Sequence, residues 1–223
     1  MYICVIRHGE TDWNVIGKLQ GREDVPLNQN GVSQAERCAL SLLKWKWKAI
    51  ITSPLLRASQ TAEIIARTLN TQEIYEDIDL IERDYGEASG LTVEERVVRF
   101  PDSHYTGIED WTILRDRVYR SLLRSADRFS PDNIIVVSHG SAINSILAEL
   151  SNHEIGTGKT RLKNTCINVL ECKNRSFTVA FYNKTADEIQ EYVSSDKAKI
   201  SLLRTKSNFK ITDDFNGSAS LSG

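Results

Sequence analysis

Two dipeptides, His8-Gly9 and His139-Gly140, each end a short apolar run, "YICVIR" before the first and "NIIVVS" before the second. An imidazole at the end of a buried strand can serve near neutral pH as nucleophile or proton carrier, and the glycine after it allows a sharp change of chain direction. Arg7 precedes the first histidine directly. Arg57, in "TSPLLRA", falls in the first turn of a helix that opens at another strand end, where the helix dipole favours an anion. Two arginines and two histidines suit a tetrahedral oxyanion such as a phosphoryl group, whose equatorial oxygens need several forked or point donors.

Chemistry on such a group also calls for an acid. Glu82 follows the apolar pair Leu80-Ile81 in "LIERDYGEASG". A partly desolvated carboxyl beside a bound dianion favours its protonated form, as a general acid must. Asp84 and Glu87 meet the same chemical requirement, and spacing does not choose among the three.

The elements that must position these residues alternate between strand and helix. "YICVIR", "KAIITS" and "NIIVVS" read as buried strands. "GVSQAERCALSLLKW" sets Val32, Ala35, Cys38, Ala39, Leu42 and Leu43 on one helical face. "SPLLRASQTAEIIARTLN" predicts a helix with Ser53 as N-cap and Pro54 at its first position, with Leu55, Ala58, Ala62, Ile65 and Leu69 at core spacing. Further helices are expected over "TVEERVVRF", "EDWTILRDRVYRSLLRSADRF" and "SAINSILAEL". The pattern predicts an α/β three-layer sandwich, a mostly parallel sheet with helices on both faces. In such a sheet ligands bind beyond the carboxyl ends of the strands, where Arg7, His8 and His139 all fall. Arg7 and His8 would face opposite sides of a continuing strand, so both reach one ligand only if the chain turns. Gly9 permits the turn and lets backbone amides approach an anion.

Towards the carboxyl terminus "CINVLECK" and "SFTVAFYN" predict a hairpin turning at Asn174, and Thr185 with Glu188 has capping-box spacing. "KISLLRT" and "NFKITDDF" read as further strands and "NGSASLSG" as a loose end.

Composition narrows the partners. The 223 residues are 40% hydrophobic and 26% charged, an ordinary balance for a globular chain expected to form one domain. A net charge of -2 supplies no global field for nucleic acid, so an anionic ligand must be held by local placement of Arg and His. The start lacks the pattern of a secretion signal and no stretch has the length of a membrane span, so a cytoplasmic protein without a membrane partner is expected. Cys4, Cys38, Cys166 and Cys172 make no CxxC pair and read as buried thiols. His104 and His153 lack zinc-site spacing and read as loop residues, so no metal is implied.

"RHGETDWN", "LQGREDVPLNQNG", "SPLLRASQTA", "ERDYGEASG" and "VSHG" occur in the order found in the histidine phosphatase superfamily, in the branch that also holds cofactor-dependent phosphoglycerate mutases. The resemblance covers about residues 1–170. It implies that His8 is the nucleophile, becoming a phosphohistidine, and that Arg7, Arg57 and His139 form the phosphate pocket. It places Asn14, Gln20 and Gly21 along that pocket and makes Glu82, in preference to Asp84 or Glu87, the proton donor. Gly140 and Ser141 join the substrate-binding set, as do Arg83 and Tyr85, which retain a capacity for a substrate carboxylate or second phosphate. As nucleophile, His8 needs a neutral attacking nitrogen, its other nitrogen held by a hydrogen bond, for which a backbone carbonyl is expected. The mutases carry a long Lys- and Arg-bearing insertion after the ERxYG motif, whereas the stretch here is short and rich in acids. A phosphomonoester hydrolase acting on small phosphorylated metabolites without a cofactor is therefore the leading expectation, ahead of a phosphoglycerate mutase and of a non-catalytic phospholigand-binding protein. One histidine phosphatase domain over 1–223 is expected, with an atypical insertion at about 184–207 that serves as peripheral decoration or homodimer contact.

Overall fold

The computed structural model describes residues 1–102 and 104–194. Six strands form one sheet in the order β3-β2-β4-β1-β5-β6: β1 (Tyr2–Arg7), β2 (Ala49–Thr52), β3 (Ile74–Glu76), β4 (Ile134–Ser138), β5 (Ile167–Lys173) and β6 (Ser176–Lys184). The first four run parallel to one another, whereas β5 is antiparallel to both β1 and β6.

Alternation along the central strands divides the core into two layers, since successive side chains point to opposite faces. Ile3 and Val5 of β1, with Ile134 and Val136 of β4, pack beneath α5 (Trp111–Phe129) and α6 (Gly140–Leu150) through Leu114, Leu122, Ile143 and Leu147. Cys4 and Ile6, with Ile135 and Val137, pack beneath α2 (Gln29–Ser41) and α3 (Leu56–Leu69) through Cys38, Ala39, Ala62 and Ile65. Each fully buried aliphatic side chain contributes roughly 1.5–3 kcal/mol relative to an exposed one, which fixes the strand ends where chemistry is expected. The three-layer α/β sandwich is the one anticipated.

Several details differ from the sequence reading. α3 begins at Leu56, with Leu55 at its N-cap; the Ser53 hydroxyl accepts from the Leu55 amide at 3.3 Å and also meets the His139 ring. α2 ends at Ser41, so Leu43 leaves the helical face and is 53% exposed. The edge strand β3 went unforeseen: its three residues "IYE" alternate exposed, half-buried, exposed and make no apolar run. Three smaller helices, α1 (Asp12–Val15), α4 (Val93–Arg99) and α7 (Ala186–Ser194), complete the α-helices among the described residues, and two 3-10 turns lie at Ile78–Leu80 and Gly86–Ala88.

The hairpin is as expected: Asn174 and Arg175 both have positive φ, 50° and 62°, the pair that a tight turn between twisted strands demands. Thr185 and Glu188 form their reciprocal bonds, and Ile189 of α7 is buried in the α2 and α3 layer. The strands expected at "KISLLRT" and "NFKITDDF", the terminal "NGSASLSG" and most of the 184–207 segment lie outside the described residues. All four cysteines are buried and free. Among the described residues no helix is long and apolar enough to cross a membrane.

Candidate active site

The parallel register of β1 and β4 pairs Arg7 with Ser138, so the next residue of each strand, His8 and His139, emerges at the same point of the sheet rim. Their rings lie 5.2 Å apart between centroids, and both are buried. His8 Nδ1 is 2.6 Å from the Gly9 carbonyl, which can only accept, so Nδ1 carries a proton. Burial first, then the Arg7 and Arg57 guanidiniums, push the His8 imidazole well below the ordinary histidine value. The neutral ring therefore keeps an unprotonated Nε2. His139 is depressed likewise by burial, then by Arg57, His8 and Arg7. Its Nε2 meets the Ser53 hydroxyl at 2.7 Å.

Gly9 has a different reason from the one anticipated. Its amide donates to Thr61 Oγ1 at 3.0 Å and is not offered to an anion. A Cβ at Gly9 would stand 2.6 Å from the Gly31 carbonyl oxygen, so the residue is small because the strand-end loop crosses the first turn of α2.

Arg57, the second residue of α3, is fully buried and spans two carbonyls, Nη1 to Glu23 at 2.7 Å and Nη2 to Gly21 at 2.8 Å. Burial lowers its pKa to about 10, and Arg7 is lowered for the same reason. Arg7 Nη1 donates to the Leu162 carbonyl at 2.6 Å. These bonds aim the guanidiniums while leaving donors free. Among the described residues, the buried side-chain nitrogens and oxygens without a partner are Arg7 Nε, Arg57 Nε, His139 Nδ1 and Asn144 Oδ1. The first three are nitrogens gathered about His8.

Glu82 lies where the chain after β3 meets the amino end of α6. Oε2 accepts from the Ser141 amide at 3.0 Å, and Oε1 from the Ala142 and Arg83 amides at 3.1 and 2.8 Å. A Cβ on Gly140 would be 3.7 Å from both Arg7 Nε and Glu82 Oε2, so this glycine keeps open the space between cation and acid. Behind Glu82, Arg117 donates to the carbonyls of Asp79, Ile81 and Glu82 at 2.8, 2.7 and 3.0 Å. Both Glu109 carboxylate oxygens hold Arg117 in turn, at 2.7 and 2.9 Å.

Arg7, His8, Arg57 and Glu82 line a cleft of about 690 Å³. Asn14, Gln20, Gly21, Tyr85, Gly140 and Ser141 line it as well. Gln20 Oε1 and Asn14 Oδ1 are both oriented by the Thr11 hydroxyl, and the Tyr85 and Ser141 hydroxyls bond each other. Burial raises the Tyr85 phenol well above its usual value. Arg83 is not brought into the cleft. Its Nε donates to the Glu109 carbonyl, and its guanidinium lies 3.8 Å from the centre of the Trp111 ring and 5.7 Å from that of the Tyr85 ring. Asp84 caps the Gly86 amide and Glu87 bonds Thr106, outside the cleft.

Sequence reasoning did not place Ser53, Thr61, Asn164, Arg117 or Glu109 at the site. Asn164 Nδ2 joins the His8 carbonyl to Asn14 Oδ1, each at 3.2 Å. It also missed Lys18, Arg96, Arg161 and Lys163, which line the cleft. None of these four cations stands in a recognisable motif; the folded path of the loops is the first signal. Among the described residues, no group of three or more His, Cys, Asp or Glu side chains is placed to hold a metal ion.

A helix–sheet–helix sandwich with paired histidines at the rim of its parallel strands defines a phosphoglycerate mutase-like fold. The chain belongs to the histidine phosphatase superfamily, whose branch 1 family model matches residues 3–185. It is 39% identical over 181 residues to the uncharacterized phosphatase PhoE of Bacillus subtilis, covering 81% of this chain and 93% of that one. The structure of Bacillus stearothermophilus YhfR superposes with a TM-score of 0.77 at 25% identity, covering 82% of this chain and 97% of that one. A phosphoserine phosphatase variant from Entamoeba histolytica, solved in complex with phosphoserine, superposes with a TM-score of 0.69 at 27% identity, covering 82% and 96%.

Proposed function

We propose that this chain hydrolyses phosphomonoesters of small molecules through a phosphohistidine formed at His8 Nε2. The observation that carries the reading is the Nδ1 bond to the Gly9 carbonyl, which leaves Nε2 as a lone pair among the unpaired donors of Arg7, Arg57 and His139. Those donors take the equatorial oxygens of the phosphoryl group. With the Ser53 hydroxyl donating to His139 Nε2, the His139 proton sits on Nδ1, the nitrogen left without a partner. In the first step the His8 Nε2–P bond forms as the ester P–O bond breaks, and protonated Glu82 gives its proton to the leaving oxygen. In the second, water attacks phosphorus, Glu82 takes a proton from it, the N–P bond breaks, and inorganic phosphate leaves with His8 neutral again. The phosphatase name of the Bacillus subtilis relative supports hydrolysis, and the phosphoserine complex supports a small phosphorylated substrate.

Rapid quench with radiolabelled phenyl phosphate should trap an acid-labile, base-stable adduct that His8→Ala abolishes. A His8→Ala enzyme with full turnover overturns the mechanism. Glu82→Gln should slow alkyl esters, whose leaving groups need a proton, by about 10²-fold or more and aryl esters far less.

A further inference from the structure

Arg7 is aimed by a carbonyl, so whatever holds that carbonyl also holds the guanidinium. The oxygen belongs to the trans peptide unit between Leu162 and Lys163, and Arg7 Nη1 donates to it at 2.6 Å. Such a unit is a rigid plate with its C=O and N–H on opposite edges. On the edge away from Arg7, the Lys163 amide donates to Asn183 Oδ1 at 2.9 Å. Asn183 Nδ2 donates in turn to the Arg161 carbonyl at 3.1 Å, which belongs to the preceding peptide unit. One side-chain amide therefore fixes two consecutive peptide planes, and the second carries the oxygen that Arg7 grips.

Asn183 reaches the loop because β6 breaks register there. Between the pairs Ile167–Lys184 and Val169–Phe181, β6 carries one more residue than β5, a bulge that holds Tyr182 and Asn183. Asn183 has a φ of 53°, a left-handed conformation that asparagine adopts more readily than most residues. Its own backbone amide donates to Asn168 Oδ1 at 2.8 Å, and the fully buried Asn168 donates from Nδ2 to the Val5 carbonyl of β1 at 3.0 Å. The circuit closes on itself. Val5 stands two residues before Arg7 on β1, and the bonds run from it through Asn168, Asn183 and the Leu162–Lys163 peptide back to the Arg7 side chain. Asn183 lines no part of the cleft and sits behind the loop, beside Lys184 and Glu188, so any influence on a bound phosphoryl group passes through other residues.

We infer that Asn183 is a positioning residue for phosphoryl capture: its side-chain amide sets the Leu162 carbonyl, which aims the Arg7 guanidinium at the phosphoryl oxygens. The turnover arm of this inference rests on the hydrolase reading above; the binding arm does not. An in-line displacement tolerates little error in its donors, since a shift of about 1 Å costs up to about 10²-fold in rate.

Asn183→Gly keeps the positive φ accessible and deletes both side-chain bonds. In the full-length chain, kcat on phenyl phosphate should fall by about tenfold or more. The Kd of inorganic phosphate, titrated by NMR, should rise by about fivefold or more. Asn174→Gly, the same exchange at the positive-φ turn between β5 and β6, should leave both unchanged. The decisive measurement is the coupling to Arg7. In an Arg7→Gln background no guanidinium remains to be aimed, and Asn183→Gly should then change the phosphate Kd by less than about twofold. A merely structural asparagine would lower the melting temperature and weaken phosphate equally in both backgrounds. Equal losses in the two backgrounds, or an unchanged kcat and Kd in Asn183→Gly, overturn the inference. If Asn183→Gly does not fold, Asn183→Asp, which keeps the acceptor for the Lys163 amide and lacks the donor, goes through the same cycle, and its loss too should vanish beside Arg7→Gln. Weaker phosphate binding in Asn183→Gly with no hydrolysis of any ester by the unmodified chain would sink the hydrolase reading and keep the positioning role. Hydrolysis that survives Asn183→Gly at full rate, with phosphate affinity intact, would do the reverse.

Discussion

Arg117 reaches Glu82 through the backbone: its Nη2 donates to the Glu82 carbonyl at 3.0 Å while the carboxylate points the other way, onto the amides of Ser141 and Ala142. Two of the three carbonyls that Arg117 holds belong to Ile81 and Glu82, and both Glu109 oxygens hold Arg117. The acid is thus gripped from both ends.

Arg117→Gln removes the close partner of Glu109, whose side chain is 7% exposed, and leaves it the more distant Arg22 at 3.7 Å, which should cost about 3 kcal/mol of stability in denaturant melts. In the fraction that remains folded, alkyl esters should lose more kcat than aryl esters, the pattern expected of Glu82→Gln. A stability loss with an unchanged alkyl-to-aryl ratio would make Arg117 structural only. Arg117→Lys, which keeps the charge but not the fork, should fall between.

Close packing at the first turn of α2 gives a second expectation. A Cβ on Gly31 would stand 2.1 Å from the Glu10 carbonyl oxygen, and one on Gly9 2.6 Å from that of Gly31. Both contacts are backbone and neither can swing away. Gly31→Ala should cost about 1–3 kcal/mol and lower Tm, and because Glu10 is two residues from His8, kcat should fall as well. An unchanged melt would show that the loop has room to relax.

The two histidines make stability depend on pH. Both rings accept protons less readily when folded, chiefly through burial, than in an unfolded chain, where histidine titrates near about 6.5. Their contribution is intact above that value and is lost as pH falls through the folded values, because the unfolded chain takes up protons that the folded one refuses. Each unit of depression corresponds to about 1.4 kcal/mol. Melts between about pH 8 and about pH 5 should show a steep acid limb, shallower in His139→Gln. Equal slopes in the two proteins would mean that His139 is not held neutral.

Activity should be indifferent to chelators, since Arg7 and Arg57 with the His139 donor already bring the charge stabilisation that a metal ion would supply at the phosphoryl oxygens. Loss of turnover in EDTA, restored by a divalent cation, would refute this.

The sandwich and the rim residues were legible because they sit in strong local patterns. "VIRHG" and "VVSHG" end apolar runs, and a parallel pairing of such runs brings their next residues together. Ser53 shows why the rest was not. Ser-Pro before an apolar-periodic stretch is a sound N-cap signal, yet the hydroxyl bonds His139, which lies 86 residues away in sequence. Arg83 fails in the opposite sense: it stands in a motif, but the Trp111 ring draws its guanidinium off the cleft. Arg96 and Arg161 become part of the site only through the course of the loops that carry them, which no periodicity records.

The antiparallel entry of β5 has a practical corollary. Because β1 leaves the sheet at the rim where β5 arrives, the loop at 157–164 borders the cleft without belonging to any strand-to-helix connection. Its side chains can be exchanged as a cassette to retune which esters are accepted, but its main-chain trace cannot wander. The Leu162 carbonyl is a fixed anchor for Arg7, and Asn164 is moored to the His8 carbonyl. Grafts from relatives should therefore be judged by whether they conserve that carbonyl position and the asparagine, and insertions of even one residue between them should disable the graft while substitutions at 161 and 163 merely redirect it.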